Sequence, residues 1–359
     1  MGGKSLVMTP RPNARQITAT APTISCLLCL LLLLIGAASG HADSGQQQND
    51  ALALKQLQAR QHLRVLVTDS GLGGLSVCGD LEKKALKRKV FEKLEIVFCN
   101  ALPEPAVGYN NLSTPQRRAA VFSDALAGMV KTCEPDVILI ACNTLSVVYP
   151  ETEIRKTLRV PVFGIVDMGV DLILAELQKD SSSSVVIFGT ETTIAAGSHR
   201  AKCLARGIAP TRVVNEPCPD LAAEIQVNPV GEPAQNLIDL YVAEAVGNLA
   251  QSNGPIVAAM CCTHFGYCSD RFRQAFAAAG RQQVRIVDPN QQMADLVFPS
   301  GTRDRCTNSL VTVKVVSRAA LSPEEIQGIG ALLEKDSPLT AAALRHYERK
   351  PDLFPFQRQ

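Results

Sequence analysis

Three short stretches carry side chains that could do chemistry, and each follows an apolar run. Ile140-Ala141-Cys142-Asn143-Thr144 places a thiol after a strand-like run and before a helix. A helix start lowers a thiol pKa from its usual value of about 8.5. Met260-Cys261-Cys262-Thr263-His264 repeats the theme, and His264 stands where it could tune the thiol or relay a proton. Leu66-Val67-Thr68-Asp69-Ser70-Gly71-Leu72-Gly73-Gly74-Leu75 offers a carboxylate and a glycine-rich turn able to cradle an anion on backbone N–H groups. Each stretch also has a plain structural reading: a tight turn, a thiol packed as a small apolar side chain, a surface imidazole. Two matched thiol loops in one chain shift the balance toward chemistry, because one thiol can then stand on each side of a substrate. The dinucleotide reading of the glycine turn is weak. Ser76 takes the third glycine position, and the next strand ends in Cys99-Asn100 with no acid for a ribose.

The elements that must hold these residues are short apolar runs alternating with helical patterns. Strands are expected at Leu63–Thr68, Leu94–Cys99, Asp136–Ala141, Pro161–Val166, Ser184–Gly189, Thr211–Val214, Pro255–Met260, Val284–Val287 and Leu310–Val316. Pro115 to Lys131 reads as a helix capped at Ser113/Thr114, and Ser322-Pro323-Glu324-Glu325 opens another. Short strands separated by helices predict βαβ units and parallel sheets, buried on both faces where runs such as Val137–Ile140 are wholly apolar. The expected fold class is therefore α/β with doubly wound parallel sheets. In such sheets ligands bind beyond the carboxyl ends of strands.

Composition sets the outer bounds. The chain has 359 residues, 46% hydrophobic and 19% charged, an ordinary globular balance with room for about two domains at roughly 150 residues each. Lys4, Arg11 and Arg15 precede ten consecutive apolar residues, Cys26–Ile35, followed by Ala38-Ser39-Gly40. That arrangement predicts a secretory signal peptide over 1–41, and so a periplasmic or secreted protein without stable membrane insertion once cleaved. Were the true start elsewhere, with Met8 one choice, the location would be cytoplasmic. Without 1–41 the chain keeps 33 basic and 34 acidic side chains, which leaves no nucleic-acid footprint. A Gln-rich linker fills 42–62. The ten cysteines beyond the signal form no C-x-x-C and no zinc-finger spacing, so no structural metal is expected.

These residues together resemble the cofactor-independent aspartate/glutamate racemase superfamily, most closely its glutamate racemases. Asp69-Ser70-Gly71-x-Gly73-Gly74, Ala141-Cys142-Asn143-Thr144, Gly189-Thr190-x-x-Thr193, Cys218-Pro219 and Cys262-Thr263-His264 follow the family's motifs in the family's order, over roughly Leu63 to Leu296. The resemblance implies two similar flavodoxin-like domains with the active site in the cleft between them. It places them at 63–166 plus about 266–335 and at 167–265, with a tail from 336 to 359. It also implies that Cys142 and Cys262 exchange the α-proton of a free amino acid on opposite faces. Asp69 would assist Cys142, and His264 would assist Cys262. Ser70, Asn143, Thr144, Thr190, Thr193 and Thr263 would bind the ammonium and carboxylates. The only partner implied is the small-molecule amino acid, with no cofactor and no metal; a homodimer stays open.

Four departures qualify the resemblance. The family's Asp-x-Ala-Arg-x-Pro-Tyr-Gly region corresponds to Asn100–Gly108, which lacks the Asp, Arg and Tyr and is lengthened. Phe265-Gly266-Tyr267 replaces the usual Tyr-Pro-Leu, and His199 stands near a family tyrosine. Export is unusual for an enzyme whose relatives supply D-glutamate to cell-wall precursors. Rival readings are aspartate racemisation or isomerisation, an arylmalonate-type decarboxylase (which needs one cysteine), a periplasmic ligand-binding protein, and a thiol oxidoreductase.

Overall fold

Val137–Ile140 is buried along its whole length, as a run apolar on both faces requires in the middle of a sheet. It belongs to a computed structural model that describes residues 51–358, except 106, 250–253, 299–300 and 302, together with Gly2. Apart from Gly2, the expected signal peptide and residues 42–50 lie outside the described residues. Among the described residues, no helix is long and apolar enough to cross a membrane.

The strands in chain order are β1 (His62–Asp69), β2 (Lys93–Asn100), β3 (Val137–Ile140), β4 (Val162–Gly164), β5 (Ser184–Gly189), β6 (Val213–Pro217), β7 (Ile256–Cys261), β8 (Val284–Val287), β9 (Leu310–Ser317) and β10 (Glu348–Arg349). They form two parallel sheets, ordered β10-β9-β2-β1-β3-β4 and β6-β5-β7-β8. Both contain the same winding: a first strand flanked by the second on one side and the third, then the fourth, on the other. The chain direction therefore switches at β1/β3 in one sheet and at β5/β7 in the other. Those are the two crevices where an α/β sheet accepts ligands.

Alternation along each strand feeds a core on both faces. Val65, Val67, Ile96 and Phe98 pack on one side of the larger sheet, and Leu66, Val97, Ile138 and Ile140 on the other. In the smaller sheet Val186, Phe188, Ala258 and Met260 face one way, and Val185, Ile187, Val257 and Ala259 the other. Each large aliphatic or aromatic side chain so buried contributes about 1.5–3 kcal/mol. The helix Pro115–Cys133 starts as its sequence suggests, with Thr114 Oγ1 accepting from the Arg117 N–H at 3.1 Å. Ser322 and Glu325 form a capping box on the helix Pro323–Glu334.

The sequence-based boundaries need three corrections. β8 pairs with β7, so residues 284–287 belong to the smaller sheet rather than to the domain expected from about 266. The supposed tail forms a helix, Pro338–Arg345, and β10, which extends the larger sheet. Glu82, fully buried, anchors that helix by accepting from the Leu339 and Thr340 N–H groups at 3.0 and 2.8 Å. The end of the supposed linker, 52–58, is helical, with Leu57 buried in the core and Gln58 Nε2 donating to the Leu296 carbonyl at 2.8 Å.

Candidate active site

The carboxyl ends of β1, β3, β5 and β7 bring all ten expected site residues to the two switch points, and the side chains interlock. Cys142 follows β3 and caps the helix Asn143–Val148, its Sγ 3.4 Å from the Leu145 N–H and 3.2 Å from Ser70 Oγ. Asp69, the last residue of β1, accepts from the Ser70 N–H at 2.6 Å and from Thr263 Oγ1 at 2.7 Å. Thr263 adjoins Cys262, just past β7. One continuous chain of contacts thus runs from the first thiol through Ser70, Asp69 and Thr263 to the second thiol's loop. Both thiols are buried, Cys142 at 6% and Cys262 at 7% exposure.

Glycine is required where the loops meet. A Cβ on Gly73 would stand 2.3 Å from Thr263 Oγ1 and 2.8 Å from the His264 backbone nitrogen. A Cβ on Gly71 would meet Gln226 Oε1 at 2.7 Å. The glycine turn therefore lets two backbones approach, rather than wrapping a nucleotide.

His264 is oriented by a partner that sequence reasoning missed. Gln226, on the helix Leu221–Val227, donates through Nε2 to Glu325, so its Oε1 is fixed as an acceptor. That oxygen takes the Leu72 N–H at 2.7 Å and lies 2.9 Å from His264 Nε2. His264 Nε2 therefore carries the proton, and the Nδ1 lone pair faces Cys262 Sγ at 3.8 Å. Burial pushes the His264 pKa down, so the ring is neutral and presents that bare nitrogen to the thiol.

The thiol acidities overturn one expectation. Burial, then the nearby Asp69 charge, push Cys142 up to about 12, outweighing the Ser70 and Leu145 hydrogen bonds that favour thiolate. Burial raises Cys262 too, with Asp69 and Cys142 adding to the shift.

On the far side, Thr144 Oγ1 lies 2.7 Å from Thr190 Oγ1 and 3.1 Å from Thr193 Oγ1, a hydroxyl cluster joining the ends of β3 and β5. Asn143 is buried with both amide atoms unpartnered, and Asn100 Nδ2 at the end of β2 is likewise unpartnered. Just past the departing loop stands Tyr109, a buried phenol with an unpartnered hydroxyl, raised in pKa by burial. Its neighbour Asn110 accepts from the Thr192 N–H at 3.4 Å. His199 lies on the helix Ser198–Ala205 against Gly169, held neutral at about 4 by burial.

Fold and site together define a two-sheet α/β protein with a buried thiol, Cys142 or Cys262, just past the carboxyl end of a strand at each switch point. The chain belongs to the Asp/Glu/hydantoin racemase family, whose model matches residues 73–297. It is 26% identical to the glutamate racemase of Aquifex pyrophilus over 235 residues, 65% of this chain and 81% of that protein. To the glutamate racemase of Aquifex aeolicus it is 24% identical, over 56% of this chain and 71% of the relative. Among solved structures, glutamate racemase from Campylobacter jejuni shares the fold with a TM-score of 0.57 at 18% identity, over 77% of this chain and 98% of that one. The Francisella tularensis glutamate racemase, solved in complex with D-glutamate, also gives 0.57, at 17% identity and 77% and 95% coverage.

Proposed function

We propose that the protein racemises a free acidic amino acid, glutamate or a close relative, with Cys142 and Cys262 as alternating base and acid. One thiolate takes the α-proton, and the thiol from the other sheet returns a proton to the opposite face of the planar carbanion. The observation that carries this reading is the contact chain Cys142–Ser70–Asp69–Thr263, which ties the first thiol to the loop of the second. Burial keeps both thiols protonated, so a thiolate must be favoured by the substrate itself. An α-ammonium seated between Asp69 and a thiol does this, since a nearby cation favours the charged form. On the Cys262 side, Gln226 keeps His264 Nδ1 bare, as the acceptor for the thiol proton once bound substrate favours the thiolate. Substrate carboxylates then find neutral donors in Asn143 and in the Thr144, Thr190 and Thr193 hydroxyls. These hold charge without a cation in a water-poor site.

Side-chain preference falls to the departing loop. Asn100 and Tyr109 stand at its ends with unpartnered polar atoms, and the segment lacks the family's charged residues. We therefore propose weaker selectivity for glutamate over other acidic amino acids than the glutamate racemases show. The test is a screen of both enantiomers of glutamate, aspartate and their homologues with purified protein and no added cofactor, followed by circular dichroism. Decay of both enantiomers to zero signal supports racemisation, and strict glutamate dependence would remove the loop argument. No decay with any acidic amino acid overturns the function. Residues 1–41 are proposed to direct export, which a reporter fused after Gln359 tests: activity confined to the cytoplasm refutes it.

A further inference from the structure

Cys99 on β2 and Cys133, the last residue of the helix Pro115–Cys133, place their Sγ atoms 3.4 Å apart. Thirty-four positions separate them, so no sequence motif announces the pair. The racemisation chemistry uses neither. They lie beside Met129 and Ile140 in the core on one face of the larger sheet. The pair is unequal. The hydrogen bond between the two thiols and burial push Cys99 up, while the same bond and the Lys314 and Arg64 cations hold Cys133 below the usual thiol value. Arg64 Nη1 also donates to the Cys133 carbonyl at 3.0 Å, which fixes the helix end against β1. Cys133 retains 8% exposure and Cys99 none. One thiol is thus built to attack, and the other to resolve.

We propose that Cys99 and Cys133 are a reversible redox site, converted to a disulfide by exchange with a small-molecule disulfide of the glutathione class. The Cys133 thiolate attacks one sulfur of the external disulfide, forming a mixed disulfide and expelling one small thiolate, which takes up a proton. Cys99 then loses its proton to solvent and attacks the Cys133 sulfur, expelling the second small thiolate. Two protein thiols are oxidised, one external disulfide is reduced to two thiols, and two electrons move. The two sulfurs must approach from 3.4 Å to a bonded separation of roughly 2.05 Å. The closed loop would contain Tyr109, so the bond would tether the segment beside Cys142 while leaving both racemisation thiols untouched.

The test equilibrates the reduced full-length protein with glutathione buffers of rising oxidised fraction. Samples are quenched in acid, alkylated in denaturant, proteolysed and analysed by mass spectrometry. Fragment spectra separate Cys133 from Cys142, which share a tryptic peptide. Expected is a cross-linked pair joining Cys99 to Cys133, two hydrogens lighter than the sum of the peptides. In Cys99→Ala, Cys133 should stop as a glutathione adduct, and in Cys133→Ala, Cys99 should react at least about tenfold more slowly. The wild-type cross-link decides the matter even if a variant fails to fold. Recovery of both cysteines as free thiols in fully oxidised glutathione would overturn the proposal. So would a wild-type Cys133 adduct beside a free Cys99. Because the readout is covalent state, a failed racemase assay leaves this result intact.

Discussion

Gly73→Ala perturbs the junction of the two sheets with a single methyl group. The added carbon would stand 2.3 Å from Thr263 Oγ1, 2.8 Å from His264 Nδ1 and 2.8 Å from the His264 backbone nitrogen. Thr263 Oγ1 is held in place by its hydrogen bond to Asp69, and the backbone nitrogen cannot turn away. Restoring an ordinary 3.4 Å contact to Thr263 requires the loops to part by roughly 1 Å. The Thr263–Asp69 hydrogen bond, now 2.7 Å, then lengthens beyond useful range. Overpacking of this kind costs about 1–3 kcal/mol, and the lost hydrogen bond about 1 kcal/mol more. Displacing one reactive thiol from the other by that distance should lower kcat/KM about 100-fold. Gly330→Ala is the control, since its methyl group would meet nothing within 4 Å in the helix Pro323–Glu334. It should be neutral or stabilising by up to about 1 kcal/mol. Urea midpoints and racemisation followed by circular dichroism give both readouts. Gly73→Ala with activity within twofold of the parent would refute the claim that this contact sets the spacing of the thiols.

Three further outcomes follow from the same geometry. Gln226→Met keeps the bulk but frees the His264 tautomer and orphans the Leu72 N–H. It should slow turnover about tenfold and cost about 1–3 kcal/mol, read by kcat and by urea unfolding. Thr193→Val breaks the hydroxyl cluster without touching either thiol, so KM should rise more than kcat falls, as saturation curves for both enantiomers would show. Stability should fall as pH rises above about 9. Cys142 is raised to about 12 and Cys203 and Cys268 to about 11, so these thiols stay protonated in the folded protein while the unfolded chain loses its protons. The slope for each buried thiol is at most about 1.4 kcal/mol per pH unit, and urea midpoints between pH 8 and 11 in reductant would reveal it.

The strand pattern was legible because wholly apolar runs such as Val137–Ile140 have few other uses. The position of the two thiol loops past strand ends was legible because the same residue types follow an apolar run in each. What escaped depended on distance in sequence. Gln226 sits on an amphipathic helix whose pattern reports only burial, and its contact with His264 spans 38 positions. Thr263 reaches Asp69 across 194. β8 falls in the other half than the sequence suggests because a four-residue strand with three partly buried residues suits the edge of either sheet. β10, two residues long, has no periodicity to read. The Cys142 acidity was misjudged because a local feature, the helix start, was weighed without the burial that only the folded chain supplies.

Proton exchange in heavy water tests the paired-thiol mechanism most directly. Cys142→Ser and Cys262→Ser would each be incubated with L- and with D-substrate, using glutamate or whichever acidic amino acid the screen prefers, and the α-proton followed by NMR. Each variant keeps one working thiol on one face of the carbon, so each should exchange the α-proton of one enantiomer, and the two variants should choose opposite enantiomers. Exchange of the same enantiomer by both variants, or racemisation by the Cys142→Ala, Cys262→Ala double variant, would contradict the assignment.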